Sequence, residues 1–134
     1  MTAATGPTVA VFRKTMTVAE QAFYTGISGN LHPLYVNSVH AKAVAGGAML
    51  VFELALASLA TTALASLGGP DRRIVSMSLR FPSPAEVGDT IEARAEIRAV
   101  KDSRFSASIR CTKQGGIVVA EGEAELGPAA GGAS

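Results

Sequence analysis

The sequence predicts an α+β fold in which one antiparallel β-sheet curls around a single long central α-helix. Two observations carry this expectation. The run from Ala48 to Leu67 is apolar apart from Glu53, its only charge, and a few hydroxyls. After it, the chain alternates apolar and polar residues with a period of two in one segment after another, the pattern of strands with one face in a core. A run of about 20 apolar residues is long enough to cross a bilayer. Here Glu53 falls inside it, Ser58, Thr61, Thr62 and Ser66 interrupt it, and neither flank carries a basic cluster. The run is therefore read as a buried helix, which requires other elements to wrap it, and the strands supply the wrapper.

Each element has its own signal. Met1 to Pro7 and Gly127 to Ser134 are small, Gly/Ala-rich and without apolar periodicity, so both are expected to be disordered tails around a single domain spanning residues 8–126. Val9 to Lys14 is a short β-prone run. Thr17 and Glu20 have the spacing of a capping box and start a helix that turns Ala22, Phe23 and Ile27 toward the core. Pro33 removes a backbone donor and biases His32 toward an extended conformation, so Ser28 to Tyr35 is expected to be a fixed loop and not a helix. Ser38 caps a short helix through Ala43, with His40 exposed on it, and Gly46-Gly47 precedes the long apolar run.

Four strands follow. Val75, Met77, Leu79 and Phe81 alternate with Ser76, Ser78 and Arg80; Ile91 to Ala99 and Phe105 to Cys111 alternate in the same way. In the last, Ile117 to Leu126, one small face is formed by Val118, Ala120, Gly122 and Ala124. Lys101-Asp102-Ser103 and Gln114-Gly115-Gly116 are hairpin turns, so the last three strands form an antiparallel meander.

Composition narrows the functional classes. At 134 residues the chain is one domain with a large surface fraction, which favours subunit pairing. Twelve basic and eleven acidic residues leave a net charge of +1, so no global field draws it to nucleic acid or to an anionic membrane. The single cysteine, Cys111, excludes an intrachain disulfide and alternates with Ile109 and Ala107 as a core residue. With no secretory signal recognisable, the expected compartment is the cytoplasm. No phosphate loop, dinucleotide fingerprint or metal-ligand cluster is present, so no metal is expected.

The densest polar chemistry lies in Ser28-Gly29-Asn30-Leu31-His32-Pro33-Leu34-Tyr35. The octet resembles the loop of the MaoC-type (R)-specific enoyl-CoA hydratases and dehydratases, in which Ser/Thr-Gly-Asp, any residue, Asn-Pro, an aliphatic residue and His follow in order. Ser28, Gly29, Pro33 and Leu34 keep that pattern, while Asn30 stands in place of the catalytic Asp and Tyr35 in place of the catalytic His. Ala45 to Leu50 is similar to the family's His-Gly turn at the entrance of the central helix, with Gly46 at the His position. Ser78 to Phe81, Pro84 to Thr90 and Glu121 to Ala124 are similar to its later strands.

The resemblance implies the hot-dog fold, a homodimer, and an acyl-CoA or acyl-carrier thioester as partner, with CoA or the carrier arm entering as part of the substrate and no other cofactor. It also implies water addition or removal, with Asn30, His32 and Tyr35 handling water and substrate. Gly46, Gly47 and Ala48 would offer amides to the thioester oxygen from a helix N-terminus. Asn30 cannot take a proton, and of these groups only His32 ordinarily titrates near neutrality. Two alternatives stay open. Glu53, beyond a Gly-Gly entrance as in some hot-dog thioesterases, is the alternative catalytic residue, set against a purely paired or solvated carboxylate. Replacement at both Asn30 and Tyr35 equally suits a non-catalytic acyl-binding subunit that works beside a catalytic partner. Arg72, Arg73, Lys101 and Arg104 are either contacts for CoA phosphates or solvated surface charge.

Overall fold

The computed structural model describes residues 8–130. The expected tail Met1 to Pro7 and residues 131–134 lie outside the described residues. The chain runs β1 (Val9–Thr15), α1 (Val18–Ser28), α2 (Pro33–Val36), α3 (Ser38–Ala45), α4 (Glu53–Gly68), β2 (Arg72–Arg80), β3 (Thr90–Lys101), β4 (Arg104–Lys113) and β5 (Ile117–Pro128). The strands form one antiparallel sheet in the order β1-β3-β4-β5-β2, which curls around α4. This is the hot-dog arrangement. The β3–β4 and β4–β5 hairpins turn at Asp102-Ser103, where Asp102 takes a φ of 56°, and at a 3-10 turn over Gln114–Gly116.

The core lies between α4 and the inner face of the sheet. Ala55, Leu56, Leu59, Ala60, Ala63, Leu64 and Leu67 of α4 meet Ile91, Ala93, Ala95, Phe105, Ala107, Ile109, Ala124 and Leu126. The many alanines on both sides allow close helix-to-sheet packing. The helix is not covered all round, because Leu54, Thr62, Ala65 and Ser66 are exposed on its other side. Cys111 is fully buried in the core, and burial pushes its thiol up to about 11, so it remains a neutral apolar filler.

The structure corrects several expectations. The capping box is present: Thr17 Oγ1 accepts from Glu20 N at 3.2 Å, and Glu20 Oε1 accepts from Thr17 N at 3.3 Å. Yet α1 buries Gln21 and Thr25, one turn apart, while Ala22 is exposed and Phe23 and Ile27 are 69% and 85% exposed. Hydrogen bonding rather than hydrophobicity decides which face of α1 turns inward. In the octet, Pro33 starts the one-turn helix α2, because a proline at the first helical position has no donor to lose. His32 does keep the extended ψ of 135° expected before proline. Asn37, not Ser38, caps α3, its side chain accepting from His40 N at 3.0 Å.

The largest correction concerns the entrance of the central helix. Gly46 adopts φ 86° and ends α3, its N–H reaching Lys42 O, and α4 begins only at Glu53 with Phe52 as N-cap. The intervening backbone is held in extended pairing with residues 85–87, through Val51 N to Ala85 O at 2.7 Å and Val87 N to Met49 O at 2.9 Å. Those bonds withdraw residues 49–51 from the helix. At the other end, β5 runs past its expected limit, pairing Gly127 with Arg73 and Pro128 with Arg72. A bulge opposite Cys111/Thr112 shifts its register, so Val119 beside Ala120 is buried in place of Val118.

Candidate active site

The site grows out of the junction of α1, α2 and the start of α4. Asn30 folds the octet locally: its backbone N–H reaches Ser28 Oγ, and its Oδ1 accepts from His32 N, both at 3.2 Å. This is an Asx-type turn. His32 continues the pattern, its Nδ1 accepting from Leu34 N at 3.2 Å, which caps α2. Because a backbone N–H can only donate, Nδ1 carries no proton here and only Nε2 remains free for chemistry. Both side chains are exposed.

Tyr35 is different. The turn of α2 carries it inward, where its ring lies 5.0 Å from that of Phe52 and 5.6 Å from that of His32. Its hydroxyl donates to Glu53 Oε1 at 2.5 Å. Burial, then the hydrogen bond to Glu53 and the charge of that carboxylate, push the phenol up to about 12. Tyr35 is therefore a hydrogen-bond donor at neutral pH and cannot serve as a base. Glu53 is half-buried at the first position of α4, and its Oε1 is the oxygen held by Tyr35.

The structure thus joins two residues that the sequence offered to rival mechanisms. Asn30 and His32 are near them in the chain, but Asn30 Oδ1 and His32 Nδ1 are engaged in turn and cap. Gly46, Gly47 and Ala48 do not stand at a helix N-terminus: Gly46 closes α3, and a Cβ on Gly47 would collide with the Glu86 carboxylate. The unpaired amides of the central helix belong instead to its first turn, at Glu53 and Leu54, where no intrahelical acceptor exists. His40 is exposed on α3, as expected.

Sequence reasoning missed Phe52 and Gln21. Gln21 Nε2 donates to Tyr35 O at 3.0 Å and to Leu50 O at 2.6 Å, and its Oε1 accepts from Phe52 N at 3.0 Å. The available signal was two polar residues, Gln21 and Thr25, four apart on the face of the helix opposite Phe23 and Ile27. The basic residues divide. Arg72 stacks on Phe105 and bonds Gly68 O and Ser103 O, and Arg104 pairs with Glu125. Through Gly68, Arg72 serves the far end of α4, about 22 Å of helix from Glu53. A charged groove of about 550 Å³ on the outer sheet face, lined by Arg80, Arg94, Arg110 and Glu121 among others, shares no residue with the Tyr35–Glu53 cluster. Among the described residues, no group of three or more His, Cys, Asp or Glu is placed to hold a metal, and no helix is long and apolar enough to cross a membrane.

Comparison with known proteins agrees with this architecture. The family model described as MaoC like domain matches residues 2–118. The chain is 31% identical over 109 residues to an (R)-specific enoyl-CoA hydratase of Aeromonas caviae, covering 79% of this chain and 81% of that protein. It is 27% identical over 116 residues to a 3-hydroxybutyryl-CoA dehydratase of Methylorubrum extorquens, covering 85% and 74%. The solved structure of the (R)-hydratase from A. caviae involved in PHA biosynthesis superposes with a TM-score of 0.85 at 28% identity, covering 90% of this chain and 93% of that one. With its hot-dog fold and a family match over most of its length, the chain belongs to the MaoC-like domain family.

Proposed function

We propose that this protein adds water to, or removes it from, the 2,3-bond of an acyl thioester carried by CoA or an acyl carrier, using Glu53 and Tyr35 where its relatives use a loop Asp and His. The observation that carries the reading is the Tyr35 hydroxyl on Glu53 Oε1 at 2.5 Å, at the mouth of the central helix. Asn30 cannot accept a proton, and the carboxylate that the loop lacks is supplied from α4. In hydration, Glu53 takes one proton from water as the water oxygen bonds to C3 and returns that proton to C2 as the enolate collapses, so that the elements of one water are added and the carboxylate is regenerated. Tyr35 holds the carboxylate in place and remains protonated. The first-turn amides of α4, at Glu53 and Leu54, and the helix dipole would stabilise an enolate oxygen placed at that terminus. No cofactor beyond the CoA or carrier arm enters, and the reaction is placed in the cytoplasm.

The working unit in this reading is a homodimer. Phe23, Ile27, Leu31, Val39 and Val44 leave a broad apolar surface on α1, α3 and the octet, which a lone subunit would expose to water. Thioester hydrolysis at Glu53 is the second reading, favoured by the position of that carboxylate at the start of the central helix.

Purified protein mixed with a panel of 2-enoyl-CoA thioesters tests the proposal. Loss of the conjugated double bond without release of thiol is the expected result. Thiol release would establish the hydrolase instead. Binding with neither signal would overturn both and indicate a subunit that depends on a catalytic partner.

A further inference from the structure

Gln21 is one of two polar side chains that α1 buries: it is 2% exposed, and both amide hydrogens and the amide oxygen are in use. Its three partners are backbone groups of two different segments. One is Tyr35 O, at the catalytic tyrosine. The others are Leu50 O and Phe52 N, which flank the turn into α4. Phe52 is the N-cap of that helix, and Gln21 Oε1 supplies from another helix the acceptor for the N-cap N–H that the third-position Glu or Gln of a capping box would supply locally. A direct bond from Leu50 N to Leu34 O at 2.9 Å lies beside this bridge and stitches the same two segments.

We infer that Gln21 is a positioning residue for the Tyr35–Glu53 pair, fixing through one buried amide the separation between the end of α2 and the start of α4. The inference rests on the proposed role of that pair and extends it to a residue that touches no substrate. The chemistry of an amide is required. A carboxylate in the same place could accept from Phe52 N but would face two carbonyls with no hydrogen to give. An apolar side chain of equal length would leave three backbone groups unpaired. Gln21 also explains why α1 turns a polar face inward and leaves Phe23 outside. Thr25, one turn on, supports the same face by donating to Gln21 O at 3.2 Å.

The test compares wild type with Gln21→Met in two measurements. The first is steady-state hydration of a 2-enoyl-CoA. The second follows ionisation of Tyr35 by the ¹³Cζ shift of labelled tyrosine between about pH 9 and 11.5, with Tyr35→Phe assigning the signal. If Gln21 positions the pair, kcat falls about 10- to 100-fold with KM within about threefold. Tyr35, which burial and then the bond to Glu53 raise to about 12, stays largely protonated through this window in the wild type and ionises within it in the variant, as the phenol loses its burial and its close carboxylate. A lowered melting temperature with kcat and the Tyr35 midpoint both unchanged would overturn the inference and leave Gln21 a structural residue. If Gln21→Met fails to fold, Gln21→Asn, which keeps the amide but withdraws it by one methylene, is read by the same criteria. If wild type shows no hydration, the proposed function fails while the tyrosine signal still decides the role of Gln21.

Discussion

At the scale of single residues, the account rests on a carboxylate and a phenol that are far apart in the chain and bonded in the fold. Asn30, His32 and Tyr35 were legible in the sequence because the octet is dense in polar groups, and Glu53 because it is the one charge in an apolar run. Their assignment was not legible. Nothing in residue spacing reveals that Asn30 and His32 spend their acceptors on Leu31–Leu34 backbone geometry, or that α2 swings Tyr35 onto Glu53. Tyr35→Phe removes the donor to Glu53 and should reduce turnover by about 10- to 100-fold, the worth of a hydrogen bond to a charged group.

A second expectation concerns pH. The Tyr35 phenol is raised to about 12 in the folded protein from an ordinary value of 10.0. The unfolded chain therefore releases this proton first as pH rises, so the stabilisation from the Tyr35–Glu53 contact is complete below about pH 10 and is lost as pH rises from there through about 12. Urea midpoints measured from pH 9 to 11 should fall more steeply for wild type than for Tyr35→Phe. Parallel curves would show that the contact does not differ between the folded and unfolded states.

At the scale of elements, the signals that survived are those set by local chemistry. Thr17 and Glu20 form their capping box, and Thr17→Ala should cost about 1 kcal/mol in urea unfolding. The signals that failed are those overridden by tertiary bonds. Residues 49–51 look helical by composition but pair with 85–87, and α1 presents Gln21 inward because two carbonyls and an amide wait for it. The bulge at Val119 is equally invisible to a period-two count. Gly122 is another case of close approach: a Cβ there would run into Ser78 O and Leu79 Cα of β2. Gly122→Ala should therefore strip β2 from the sheet edge and cost about 1–3 kcal/mol or more, read as a lowered melting temperature and faster amide exchange along Arg72–Arg80.

At the scale of the whole molecule, the sheet wrapped on a central helix was the most legible feature, because alternation such as Ile91, Ala93 and Ala95 against Glu92, Arg94 and Glu96 states which face is buried. What the alternation does not state is which surfaces a subunit leaves uncovered. The apolar exposure of Phe23 and Ile27 places that surface on α1. If a second copy covers it, Phe23→Asp combined with Ile27→Asp should convert a dimer to a folded monomer in sedimentation velocity; an unchanged dimer would place the interface elsewhere, with the open edge of β2 the next surface to examine.

In the proposed mechanism the catalytic carboxylate stands on the central helix and not on the loop. This placement is tested most directly by the rate of hydration of a 2-enoyl-CoA by wild type, Glu53→Gln and His32→Ala in parallel. Glu53→Gln is expected to lose at least about 100-fold in kcat/KM, and His32→Ala to stay within about threefold of wild type. Full activity in Glu53→Gln, with loss in His32→Ala, would return the base to the loop and contradict the account.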